Sequence, residues 1–131
     1  MLPVTPSVHD GPRRHVNGVV TPGRLTAVLG DDPGGRSTFV RLVVAATSEP
    51  VVVVEPVPGL PRRRRRPILR ACADLARAGR AVVLVTDDAT DALEAGAHRA
   101  VVLSGPAPLA VGPPEQVLPT VCRELGLGNR A

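Results

Sequence analysis

The sequence predicts an α/β fold, a mainly parallel β-sheet flanked by helices, and three observations carry that prediction. Short aliphatic runs rich in β-branched residues recur between breakers, at Arg24–Leu29, Val51–Val54 and Ala81–Val85. Such runs read as buried strands. Segments with helical spacing lie between them. The apolar fraction, 44% of 131 residues, holds one Phe and no Tyr or Trp, so the core must be built from Val, Ala and Leu. That composition suits parallel strands covered by helices.

Taken in order, Arg24–Leu29 runs into a Gly-rich turn, and Ser37–Ala46 follows it as the first helix. Val51–Val54, four valines between Pro50 and Pro56, is the second strand. Ile68–Ala78 places Leu69, Cys72, Ala73 and Ala76 near helical spacing and stops at Gly79. Ala81–Val85 is the third strand, and Ala89–Ala95 a short helix before a fourth strand at Arg99–Leu103. Ser104-Gly105-Pro106 is a turn, with Pro108–Val111 returning as a hairpin partner. Pro114–Leu125 closes the chain as a helix whose first turn tolerates Pro114. Right-handed crossovers align the strand C-termini along one edge, where ligands bind in such sheets.

The charge pattern is narrow. All 16 basic residues are Arg, the net charge is +4, and five arginines form one run, Arg62–Arg66. That run reads as a solvated loop or helix start. Its functional alternative is contact with a polyanion, but no aromatics for base stacking interleave it, and nucleic acid is not expected as a partner. Cys72 and Cys122 lack metal-ligand spacing and read as reduced thiols. No uncharged stretch reaches the roughly 20 residues of a membrane helix, and residues 1–14 show no apolar signal core. A soluble, cytoplasmic protein of one domain over residues 1–131 is expected, with the first 20 residues poorly patterned.

The chemistry concentrates in Gly30-Asp31-Asp32-Pro33-Gly34-Gly35-Arg36-Ser37-Thr38, which fits G-x-x-x-x-G-K-[ST] with Arg in place of Lys. It follows a strand and precedes a helix, the context such a phosphate-binding loop requires. Backbone N–H groups from Gly30, Gly34, Gly35, Arg36, Ser37 and Thr38 would wrap the phosphates, and the helix N-terminus would add its positive end. Arg36 supplies a cation, and Ser37 a hydroxyl for Mg²⁺. Pro33 removes one N–H donor, and Asp31 and Asp32 bring negative charge close to an anionic ligand.

The succession of segments resembles the ATP-binding cassette (ABC) ATPases of transporters. Thr21–Gly30 is similar to the approach to their Walker A loop, and Val51-Val52-Val53-Val54-Glu55-Pro56 to their Walker B strand "llllDEP". Ala78–Asp88 resembles the switch-histidine strand, His98–Leu103 the strand "adrvvvl", and Val111–Leu118 the segment "GtpeevL". The resemblance covers about Thr21–Leu118 and implies a P-loop NTPase-like fold, ATP and Mg²⁺ as cofactors, and Glu55 as general base. A homodimer or a membrane permease is the partner it implies, the latter placing the chain at the membrane periphery.

The departures are specific. Only 18 positions separate Ser37 from Glu55, so the helical subdomain with the Q-loop and the LSGGQ signature is missing. Val54 stands at the Walker B Asp position, Pro61 at the D-loop Asp and Asp87 at the switch His. No aromatic stands where adenine would stack, and His9 or His15 is the nearest substitute. Asp87 is a second metal-ligand candidate beside Ser37, its alternative role being half of an Asp pair that caps the next helix. The expectation is an ATP-binding protein with weak or absent hydrolysis. A non-catalytic structural or regulatory pseudo-ATPase is the alternative, and a polyanion-binding protein built on Arg62–Arg66 the third reading.

Overall fold

Among the described residues, five strands form one sheet in the order β2-β3-β1-β4-β5. They are β1 (Leu25–Leu29), β2 (Val51–Val54), β3 (Ala81–Thr86), β4 (Arg99–Ser104) and β5 (Ala107–Gly112), with helices α1 (Pro33–Ala46), α2 (Arg62–Arg77), α3 (Ala89–Glu94) and α4 (Pro114–Leu125). This computed structural model describes residues 20–125, with side chains as far as Pro119. The segment before Val20, which includes His9 and His15, lies outside the described residues, as does the side chain of Cys122. The α/β architecture is as the sequence predicts: β1 pairs parallel with β3 and β4, β2 parallel with β3, and β5 antiparallel with β4.

The two faces of the sheet are covered unequally. Thr26 and Val28 alternate with Leu25, Ala27 and Leu29 along β1, as strand geometry requires. Val28, Val83, Val85, Val101 and Leu103 pack under Phe39 and Val43 of α1. On the opposite face, Leu25, Val82 and Leu84 meet Leu69, Cys72 and Ala76 of α2. Ala27, Leu29, Ala100 and Val102 there meet Ala89 and Ala92 of α3 and Leu118 of α4. Among the described residues, one helix therefore covers one face and three cover the other. Val53 of β2 remains 42% exposed beside α1.

The first and second crossovers leave their strands in opposite directions with helices on opposite faces, which is how right-handed connections must run. The crossover from β1 moves outward to the edge strand β2, while that from β3 moves past β1 to β4. The C-terminal ends of β1 and β3 thus flank a point where the winding reverses, the place such sheets use for ligands.

Helix α2 begins at Arg62, six residues earlier than the apolar spacing indicates, and takes in the whole arginine run and Pro67. A helix start is the least favourable place for cations, because the macrodipole is positive there. Its cap, Pro61, offers no side-chain hydrogen bond. Tertiary ion pairs offset this. Arg62 reaches Asp88 at 2.9 Å, Asp91 at 2.6 Å and Glu94 at 3.3 Å, Arg65 reaches Asp91 at 2.5 Å, and Arg66 reaches Glu94 at 3.5 Å. The Thr86 hydroxyl donates to Asp91 at 2.7 Å. Asp91 is fully buried, so this carboxylate joins α2, α3 and the end of β3.

Burial alone would push the Asp91 carboxyl above its ordinary value. Hydrogen bonds from Arg65, Thr86 and Arg62, together with the Arg65 charge, hold it below that value instead. Its folded-state pKa is therefore lower than its unfolded one. The stability it contributes is complete above the ordinary carboxylate range of about 4 and is lost as pH falls through the lower folded value. Asp91→Asn should flatten the acid limb of a urea-midpoint profile taken from pH 7 downward. At pH 7, Asp91→Ala should cost about 3–5 kcal/mol of unfolding free energy, because Arg65 is left buried and uncompensated.

Candidate functional site

The loop after β1 is only Gly30-Asp31-Asp32, because α1 starts at Pro33 rather than at Ser37. The local reason is cap chemistry. Asp32 is extended (φ −109°, ψ 109°) and its carboxylate accepts from the Gly34 N–H at 3.2 Å. Pro33 has the fixed φ that a first helical position favours. The Arg36 N–H already donates to the Asp32 carbonyl at 3.0 Å, a regular helical bond. Gly34, Gly35, Arg36, Ser37 and Thr38 therefore lie in the first two turns of a helix, where the sequence reading has the loop run on to the helix at Ser37. The Asp32 carboxylate stands at the helix end where an anion would otherwise sit.

The glycines serve packing. A Cβ on Gly35 would lie 2.2 Å from the Gly105 carbonyl oxygen and 2.4 Å from its carbon. The N-terminus of α1 is thus seated directly on the turn between β4 and β5. At Gly30 a Cβ would meet the Leu103 Cβ at 3.3 Å and the Arg36 Cγ at 3.6 Å, so the stem of Arg36 lies over Gly30.

Arg36 is 8% exposed and one of its terminal nitrogens donates to the Gly30 carbonyl. Its Nε is buried with no hydrogen-bond partner among the described residues. A buried guanidinium N–H without an acceptor is costly, and an anionic ligand would supply one. Arg36 also lines an opening of about 360 Å³ together with Ser37, Val40 and Arg41 of α1, Val53 and Glu55 at the end of β2, and Val85 of β3. Helical spacing accounts for the α1 contribution. Positions 36 and 40, and positions 37 and 41, are each four apart and share one side of the helix. Val53 of β2 and Glu55, the residue just past its end, both reach the opening.

The structure thus brings Arg36, Ser37 and Glu55 to one opening and adds Arg41, which sequence reasoning passed over. Helical spacing from Ser37 was the signal for it. Gly30, Gly34, Gly35 and Thr38 do not line the opening. Asp87 is exposed at the end of β3 and also lies outside it. Its neighbour Asp88 is the N-cap of α3, accepting from the Thr90 N–H at 2.8 Å, and pairs with Arg62. For Asp88 the helix-capping role is therefore the one observed. No group of three or more His, Cys, Asp or Glu that could hold a metal ion occurs among the described residues.

Arg62, Arg65 and Arg66 are occupied by α3, so among the described residues only Arg63 and Arg64 of the run remain without an ion pair. The Cys72 thiol is buried, and burial pushes its pKa up, which makes it a packing residue of α2 and not a nucleophile. No helix among the described residues is long and apolar enough to cross a membrane. No protein-family model matches this chain, and no curated protein matches it.

The close approach at Gly35 is testable. Gly35→Ala drives a methyl group into the Gly105 backbone, and should destabilise the protein by about 1–3 kcal/mol through overpacking. Gly34→Ala, whose Cβ would meet only the Asp32 carboxylate at 3.6 Å, should be tolerated. Urea denaturation of the two variants separates these outcomes.

Proposed function

We propose that the protein binds the phosphate tail of a nucleotide, with ATP as the expected ligand, in the opening between α1 and the ends of β2 and β3. The observation that carries this reading is Arg36, a nine-tenths-buried guanidinium with an unpartnered Nε, lining a pocket with a second arginine and a hydroxyl. Arginine is the side chain suited to planar, bidentate recognition of phosphate. The site stands beside the reversal of winding in an open α/β sheet, on the glycine-containing strand-to-helix segment that resembles a Walker A motif. A degenerate, P-loop NTPase-like relative of the ABC ATPases is the class of protein this describes.

The donor set fits phosphate better than it fits a resident metal. One hydroxyl (Ser37) and one carboxylate (Glu55) line the opening, too few for a dedicated cage. Mg²⁺ ordinarily keeps several waters and relies on the substrate phosphates, so the ion belongs with the nucleotide. When bound it would neutralise phosphate charge. Glu55 is the carboxylate available to orient water, but Val54 and Asp87 supply no metal-holding or phosphate-sensing group within the opening. Slow or absent hydrolysis follows from that arrangement.

A second reading, a pseudo-ATPase that retains the scaffold without the ligand, rests on a specific observation. The Asp32 carboxylate caps α1 and Arg36 folds onto Gly30, so the segment satisfies much of its own polarity. Titration calorimetry with Mg·ATP decides between the two. Saturable binding that is lost in Arg36→Ala is the expected result. No heat of binding at millimolar ATP, from protein with intact circular dichroism, would leave the second reading standing.

A further inference from the structure

The opening beside α1 has a chemical asymmetry that bears on what it selects. Its polar lining is Arg36, Ser37, Arg41 and Glu55, and the rest is Val40, Val53 and Val85. Two guanidinium groups and a hydroxyl against one carboxylate favour an anion, and Arg36 brings an N–H that no atom of the described residues accepts. Proteins read a nucleobase by hydrogen bonds to its edge and by stacking on an aromatic or guanidinium plane. Among the described residues the lining holds no aromatic side chain, and its three valines offer neither ring faces nor polar edges. Phe39 is fully buried under the sheet in the α1 cluster and does not line the opening. Of the two guanidinium groups, that of Arg36 is buried and anchored to the Gly30 carbonyl, while the exposed Arg41 lies one turn beyond Ser37 on α1.

We propose that this site recognises the oligophosphate group itself and leaves the base unread, so that inorganic triphosphate binds as well as any nucleoside triphosphate. The inference rests on the reading of the opening as a phosphate site and names its ligand class. Affinity then comes from charge-assisted hydrogen bonds between guanidinium and phosphate oxygens. Beyond its polar groups the described lining is Val40, Val53 and Val85, which hold no group to grip the remainder of a nucleotide.

The experiment is calorimetric titration of the full chain with the Mg²⁺ complexes of inorganic tripolyphosphate, ATP, GTP and CTP, repeated with Arg41→Ala. Arg41 is exposed on α1, so its removal leaves the core intact. The expected result is four dissociation constants within about threefold of one another, each weakened about tenfold or more by the substitution. A nucleotide bound more than about tenfold tighter than tripolyphosphate overturns base-blind recognition while leaving the phosphate site in place. Equal affinities that ignore Arg41→Ala also overturn it, because they locate the polyphosphate elsewhere. No binding of any of the four ligands to folded protein overturns both this inference and the reading beneath it.

Discussion

The buried carboxylate of Asp91 is the contact on which the arrangement of the α2–α3 layer depends. It accepts from Arg62 and Arg65 of α2 and from Thr86 of β3 while sitting on α3. Each partner has a need that it meets. The arginines lie at the positive end of a helix dipole with no acidic residue in their own first turn. The six residues of α3 form too short a helix to hold by propensity. A carboxylate with no solvent contact is tolerable only when its charge is balanced and its oxygens are bonded. One group answers all three conditions, and it thereby sets where the end of β3 turns into α3.

The opposite face is organised by close approach instead of charge. Among the described residues α1 is the helix on this face, and Gly35 on the Gly105 carbonyl brings backbone against backbone. Arg36, one residue later, then falls over Gly30 at the end of β1. A consequence follows for ligand chemistry. Because α1 is wound from Pro33, few backbone N–H groups are free to wrap a phosphate, and the Asp32 carboxylate already engages one of them. In the proposed site, recognition would come from the side chains of Arg36, Ser37 and Arg41, which line the opening. The ligand site proposed here is thus a side-chain pocket next to a glycine-rich turn, and not a backbone nest formed by it.

Strand positions were legible because valine-rich runs between prolines and glycines have few other structures open to them. The strands found lie within a residue or so of those read from Arg24–Leu29, Val51–Val54, Ala81–Val85, Arg99–Leu103 and Pro108–Val111. Helix starts were less legible. Both α1 and α2 begin earlier than their apolar spacing suggests, since the deciding contacts are a capping Asp32 in one case and acidic residues 26 or more positions away in the other. The arginine run looked solvated because a run of one charge carries no mark of its partners, and Asp88, Asp91 and Glu94 are ordinary acidic residues until the fold places α3 beside α2. At the candidate site, Arg36, Ser37 and Glu55 were legible from motif spacing. Arg41 was not singled out, because nothing in a motif marks the residue one helical turn further on.

The sequence by itself determined the α/β class, the order of elements and the segment at which an anion-binding group would be sought, because strand and turn preferences are local properties of short runs. Only the tertiary structure decided which charges are paired within the fold and which line an opening. Arg62 and Arg65 differ from Arg36 and Arg41 in no property of the side chain. They differ in what packs against them: three carboxylates of α3 in one case, and in the other an open pocket walled by valines and one glutamate.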